Sequence, residues 1–142
     1  MKNIMLKIIG KQKNKDEEEV IEFVTEGKYY KKGDTTYLVY KETELIGIEG
    51  STTTLKITDD HIKMKRFGTS DSEIEFQKGK KFNSYYNTPY GNIAMEILTK
   101  NVQNQLKDDL SGSLDIEYDI SMEGLIEGSN KLNIQIMNAG RN

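Results

Sequence analysis

The sequence predicts an all-β protein, a single antiparallel up-and-down β-barrel of about 8–10 strands, and three observations predict it. Apolar residues recur with period two through most of the chain. Gly, Asp, Asn and Ser cluster at short, regular intervals, as they do where a chain reverses direction. No segment sustains a helical period. A sheet of many short neighbouring strands tends to curl and close, because closure removes exposed edges. That favours one barrel over a two-sheet sandwich.

The elements follow in order. Ile4, Leu6 and Ile8 alternate in the first strand. The charged run KNKDEEE after it reads as a solvated hairpin loop. Residues 18–30, EEVIEFVTEGKYY, form a second strand, KKGD a turn, and TTYLVYKE the strand that rises from it. LIGIEGSTTTLKIT, HIKMKRFG, SEIEFQK, KFNSYY and YGNIAMEILTKNVQ come next, then SLDIEYDISME and KLNIQIM. SLDIEYDISME is the clearest: Leu114, Ile116, Tyr118, Ile120 and Met122 share one face, and Asp115, Glu117, Asp119, Ser121 and Glu123 the other. A helix would scatter those acids; a strand puts all of them in water. Breaks are expected at Gly33–Asp34, Asp59–Asp60, Ser70–Ser72, Gly79, Pro89–Gly91, Asp108–Gly112 and Gly128–Asn130. The best helical candidate, MEILTKNVQNQL with Ile97, Leu98, Val102 and Leu106, alternates well in its first half and is read as a long strand. Residues 1–142 make one domain with a core over roughly 4–137, without repeat, linker or low-complexity tract.

Composition narrows the function classes. Cysteine is absent, which excludes disulfides, thiolate metal sites and cysteine nucleophiles. A single histidine, His61, removes two-histidine metal motifs and the usual serine–histidine triads. Charged residues make up 30% of the chain, yet the net charge is −3, a solvated surface of mixed sign and not a basic nucleic-acid binder. A lysine interrupts the short apolar run in MKNIMLKIIGKQ, so neither a signal peptide nor a membrane span is expected, which favours the cytoplasm. Nothing calls for a cofactor or a metal.

Arg66 is the most informative residue. In HIKMKRFG it shares a face with Ile62 and Met64, while Lys63 and Lys65 point the other way. An inward arginine needs acceptors. It either clamps a carboxylate or phosphate ligand by bidentate bonding, or bonds carbonyls or an internal acid at the barrel end. Glu49 shares phase with Leu45, Leu55 and Ile57 and is a candidate partner. GIEGSTTTLK lacks the GK[ST] ending of a phosphate loop and leads into a strand. The acid pairs Asp59–Asp60 and Asp108–Asp109 sit in turns without calcium-loop spacing, and His61 beside the first of them reads as a surface residue.

The tyrosines give the other candidates. Tyr37 and Tyr40 lie on opposite faces of one strand, as do Tyr85 and Tyr86, so one of each pair faces inward. Tyr90 follows the turn made by Pro89, which presets φ, and Gly91, which tolerates a positive φ. Inward tyrosines suit a ligand cavity or a filled core.

Together, VTEGKYYKKGDTTYLVYKE, GIEGSTTTLKI, KRFG, FQKGKKFNSYYNTPYG and LDIEYDISMEG resemble the YwiB-like family of small bacterial proteins, over roughly residues 4–137. That resemblance implies a calycin-type antiparallel barrel, similar to lipocalins in shape. It implies no established activity, ligand or catalytic residue.

Two functions follow as expectations. One is a non-enzymatic barrel holding a small acidic or amphipathic molecule, with Arg66 anchoring charge, Glu49, Tyr37 and Tyr40 nearby, and Tyr85, Tyr86 and Tyr90 at the mouth. The other is a filled barrel that binds a protein partner through its outer surface. A third expectation, an enzyme using carboxylates or tyrosine in the barrel, has few features in its support and no readable nucleophile–base arrangement.

Overall fold

The computed structural model describes residues 2–15, 17–41, 52–67, 72–88, 91–107, 111–122 and 126–137. These form ten strands and, among the described residues, no helix. The strands are β1 (Lys2–Lys13), β2 (Glu18–Lys32), β3 (Thr35–Lys41), β4 (Thr52–Thr58) and β5 (His61–Phe67), then β6 (Ser72–Gln77), β7 (Lys81–Thr88), β8 (Gly91–Asn104), β9 (Ser113–Met122) and β10 (Ile126–Met137). Every strand pairing among the described residues is antiparallel.

The order is β6-β5-β4-β3-β2-β1-β10-β9-β8-β7, a meander in which β1 joins the two halves. β1 pairs with β2 from Lys2↔Tyr29 to Lys13↔Glu18, and with β10 from Met5↔Met137 to Lys13↔Ser129. The sheet curls until β6 packs beside β7 and β8. Backbone bonds join its ends: Gly79 N–H donates to the Thr99 carbonyl at 2.8 Å, and Thr99 N–H to the Lys80 carbonyl at 3.2 Å. The Asn104 side-chain amide donates to the Asp59 carbonyl at 2.7 Å and ties β8 to the β4–β5 turn. The result is the expected all-β barrel, nearly closed.

Period-two alternation fixes which side chains fill it. Ile4, Leu6 and Ile8 of β1, Leu38 and Tyr40 of β3, and Leu55 and Ile57 of β4 point inward and are buried. Ile62, Phe76, Ile97, Leu114, Ile116 and Ile134 complete a continuous core. Each such side chain contributes roughly 1.5–3 kcal/mol on leaving water. Gly27 of β2 lies on this face, where a Cβ would come within 2.9 Å of Leu6 Cδ1 and of the Val39 carbonyl oxygen.

Two details differ from the sequence expectation. Gly128–Asn130 is not a break: all three residues lie inside β10. Gly128 is there because a Cβ would stand 2.8 Å from the Lys13 carbonyl oxygen; close backbone approach, not reversal, requires the glycine. The helix-like spacing in MEILTKNVQNQL has another origin. Thr99 pairs with Tyr118 and Asn101 with Glu117, so Lys100 is bulged out. The bulge shifts the inward set from Met95, Ile97 and Thr99 to Val102. The segment is a long strand, as the alternation of its first half indicates.

Candidate functional site

Arg66 sits near the end of β5, paired with Thr53 of β4 and with Ser72 of β6. It continues the inward phase of Ile62 and Met64 and is half-buried where those two are buried. The Cα ladder runs on from Thr53 to Tyr40 and from Tyr40 to Gly27. Thr53 and Tyr40 are both buried. The structure therefore brings Arg66 and Tyr40 to one inward-facing row.

A second row approaches from the other half of the barrel. Thr99, Tyr118 and Asn130 are register neighbours across β8, β9 and β10. The Tyr118 hydroxyl and the Asn130 side chain are hydrogen-bonded, and the Tyr118 ring packs on Phe76 of β6 with centroids 4.8 Å apart. Tyr118 is half-buried as a residue, and burial of its hydroxyl pushes its pKa above the ordinary value of 10.0. The bond with Asn130 and the positive charge of Arg66 pull it back part of the way. The guanidinium is thus close enough for its field to be felt at the phenol. Thr99 is 1% exposed, and its hydroxyl is buried without a hydrogen-bond partner. A hydroxyl in that state is unfavourable by about 1–3 kcal/mol. The barrel interior therefore holds a row of phenol, amide and orphaned hydroxyl across β9, β10 and β8, with the Arg66 cation at its β5 side acting on the phenol.

The remaining candidates lie elsewhere. Tyr37 is on the outer face, stacked on Tyr30 with centroids 4.6 Å apart and planes 8° from parallel. Tyr85 is on the outer face of β7 and 64% exposed. Tyr86 pairs with Ile93 through its backbone. Glu49, Tyr90 and Pro89 lie outside the described residues; the pair Thr88↔Gly91 flanks Pro89, and Gly91 has the expected positive φ, 120°.

Sequence reasoning missed Tyr118, Asn130 and Thr99 as site residues. In the sequence Tyr118 reads as part of the apolar face of SLDIEYDISME and Asn130 as a turn residue, and Thr99 lies just before the bulge. The usable signal was a polar side chain on the inward phase of a strand, which costs free energy unless something bonds it.

Among the described residues the outer face carries scattered cross-strand pairs. Lys7–Glu22 at 2.9 Å, Lys100–Asp119 at 3.2 Å and Lys63–Glu73 at 3.6 Å are exposed or half-exposed cross-strand pairs. Such pairs contribute roughly 0–1 kcal/mol each. His61 bonds Glu75 at 2.9 Å in the same setting. Among the described residues no group of three or more His, Asp or Glu could hold a metal ion, and no helix is long and apolar enough to cross a membrane. A groove of about 850 Å³ over β1 to β4 is lined by Met5, Val24 and Val39 of the outer phase and by Thr25 and Tyr40 of the inner phase. Neither it nor the smaller concavity of about 380 Å³ over β8 to β10 is lined by Arg66, Tyr118 or Thr99.

Comparison with known proteins agrees with this architecture. The chain is 31% identical over 103 residues to a Bacillus subtilis (strain 168) protein named "Uncharacterized beta-barrel protein YwiB", covering 72% of this chain and 70% of that one. Its fold matches the crystal structure of the ywiB protein from Bacillus subtilis with a TM-score of 0.83 and 24% identity, over 96% of this chain and 92% of that one. Residues 6–134 match the model of the domain of unknown function DUF1934, and the chain belongs to that family.

Proposed function

We propose that the protein is a non-enzymatic binding protein that takes a small acidic molecule at the Arg66 end of the barrel interior. The observation that carries this reading is Arg66 itself, an inward-phased cation whose field reaches the buried Tyr118 hydroxyl. A guanidinium presents five donors in a planar fork, which grips a carboxylate or phosphate through two parallel bonds. Asn130 and Thr99 supply the neutral hydrogen-bonding groups that orient such a ligand. Leu6, Leu38, Leu55 and Ile57 fill the apolar part of the barrel, so the ligand is compact and polar in place of a long amphipathic chain.

A filled barrel also favours the second reading, in which the outer surface binds a protein partner. Tyr85 and Phe67, both exposed, are its best-placed aromatic residues. Native mass spectrometry of protein purified from its own host decides between the two, with thermal shift across a panel of small carboxylates and phosphates. The ligand reading expects a retained small acid or a stabilising panel member, with the effect lost in Arg66→Gln. A clean apo mass with no shift across the panel leaves the partner reading.

A further inference from the structure

We infer that the seam between β6 and β7 is the lateral entrance by which a small anion reaches the Arg66–Tyr118 cluster. Its occupant rests on the ligand reading above; its geometry rests on separate observations.

The first is the handedness of the turns. The β2–β3 turn closes Lys32↔Thr35 around Gly33–Asp34, and the β4–β5 turn closes Thr58↔His61 around Asp59–Asp60. In both, the first central residue has positive φ, 63° at Gly33 and 50° at Asp59. That is the type II′ pattern, which matches the right-handed twist of paired strands. The β6–β7 turn is closed by the Lys80 N–H donating to the Gln77 carbonyl at 3.0 Å. Its positive φ, 78°, falls on the second central residue, Gly79. That is the type II pattern, which splays the flanking strands.

The second is phase. Ile74 and Phe76 face inward opposite Met64 and Ile62, and Phe82 and Ser84 face inward opposite Ile97 and Met95. A hairpin continuing from Gln77 and Lys80 would set Phe76 against Lys81 and Ile74 against Asn83. Lys81 and Asn83 are exposed on the outer face. The two strands are out of phase by one residue, and a slip of one reverses every side chain. Among the described residues β6 and β7 accordingly share no ladder and stand at the two ends of the sheet order.

The third is solvent. Ile74, Phe82 and Ser84 point inward yet are only half-buried, whereas the inward Leu6, Leu38 and Leu55 are 0% exposed. Water reaches the barrel wall along this seam. Behind it lie the site groups. Thr99 is bonded to Gly79 and Lys80 at the vertex of the turn, Phe76 packs on Tyr118, and Arg66 pairs with Ser72 at the start of β6. The seam runs from the turn beside Thr99 to the start of β6 beside Arg66.

Two measurements test the entrance. In hydrogen exchange of the wild-type chain, peptides covering β6 and β7 should exchange at least about tenfold faster than β9. Equal protection would overturn the inference. Thr99→Cys then places one thiol in a chain that has none. Alkylation by iodoacetamide should outpace global unfolding by about tenfold or more, and Phe82→Ala should speed it further. Alkylation that tracks global unfolding across a denaturant series sinks the entrance. Should Thr99→Cys not fold, Ile97→Cys, buried opposite Phe82, gives the same readout. The anion preference is read separately. The iodoacetate-to-iodoacetamide rate ratio should fall in the Arg66→Gln background. Fast access with an unchanged ratio upholds the entrance and overturns the anion reading.

Discussion

At the residue scale, the polar groups inside the barrel are coupled, and the coupling can be titrated. Burial raises the pKa of Tyr118 above 10.0, while Arg66 opposes the rise. In the unfolded chain the phenol ionises near its ordinary value, so the folded state holds the extra proton at alkaline pH. Stability from this group is complete below about pH 10 and is lost as pH rises through the higher folded value, with a limiting slope of about 1.4 kcal/mol per pH unit. Arg66→Gln removes the opposing charge and should push the Tyr118 titration higher still. Ultraviolet difference titration of tyrosinate, with Tyr118→Phe to assign the transition, measures it; an unmoved transition would place Arg66 beyond reach of the phenol. Thr99 gives a second residue-scale prediction. Valine matches its shape and removes the orphaned hydroxyl, so Thr99→Val should stabilise the chain by about 1 kcal/mol in urea unfolding. If the hydroxyl bonds the ligand, the same substitution weakens anion binding. Opposite signs for stability and affinity distinguish a binding group from a packing defect.

At the element scale, the strands were legible because every one has a buried and a solvated face. SLDIEYDISME shows this most plainly: a period of two leaves no other regular structure that keeps its acids in water. What the sequence concealed is where two backbones touch. Gly128 and Asn130 carry turn chemistry; the proximity of the Lys13 carbonyl explains the place of Gly128 inside β10, and the bond with Tyr118 that of Asn130. Likewise, the bulge at Lys100 mimics helical spacing because one unpaired residue changes the phase halfway along β8. The β6–β7 turn was legible as a turn at Gly79, but its conflict of phase shows only once the neighbours of both strands are known. Gly27 offers a test at this scale. Its inward Cβ would stand 2.9 Å from both Leu6 Cδ1 and a backbone oxygen of β3. Backbone cannot rotate away, so Gly27→Ala should destabilise by about 1–3 kcal/mol through overpacking. A neutral result in urea unfolding would mean that β2 and β3 separate more readily than their ladder implies.

At the scale of the whole molecule, the question is how a barrel with a filled core can still bind anything. The inward leucines and isoleucines of β1, β3, β4 and β9 pack against one another with almost no exposed surface, so a fatty acyl chain has no volume to enter without evicting them. On the proposed reading the polar groups behind β6 and β7 bind the ligand, and the packed leucine and isoleucine side chains supply stability. Three outcomes should then occur together. Leu55→Ala, cut into the packed region, should cost about 2–5 kcal/mol. A long-chain fatty acid should leave Tm unchanged. A small carboxylate or phosphate that occupies the site at one hundred times its Kd should add about 2.7 kcal/mol, read as a rise in Tm. The anion's stabilisation should disappear in Arg66→Gln and persist in variants of the outer tyrosines Tyr37 and Tyr85, because the latter do not face the interior. Stabilisation by the fatty acid would instead mean that the leucine core opens as one unit, and the division of the barrel into a packed part and a binding part would be wrong.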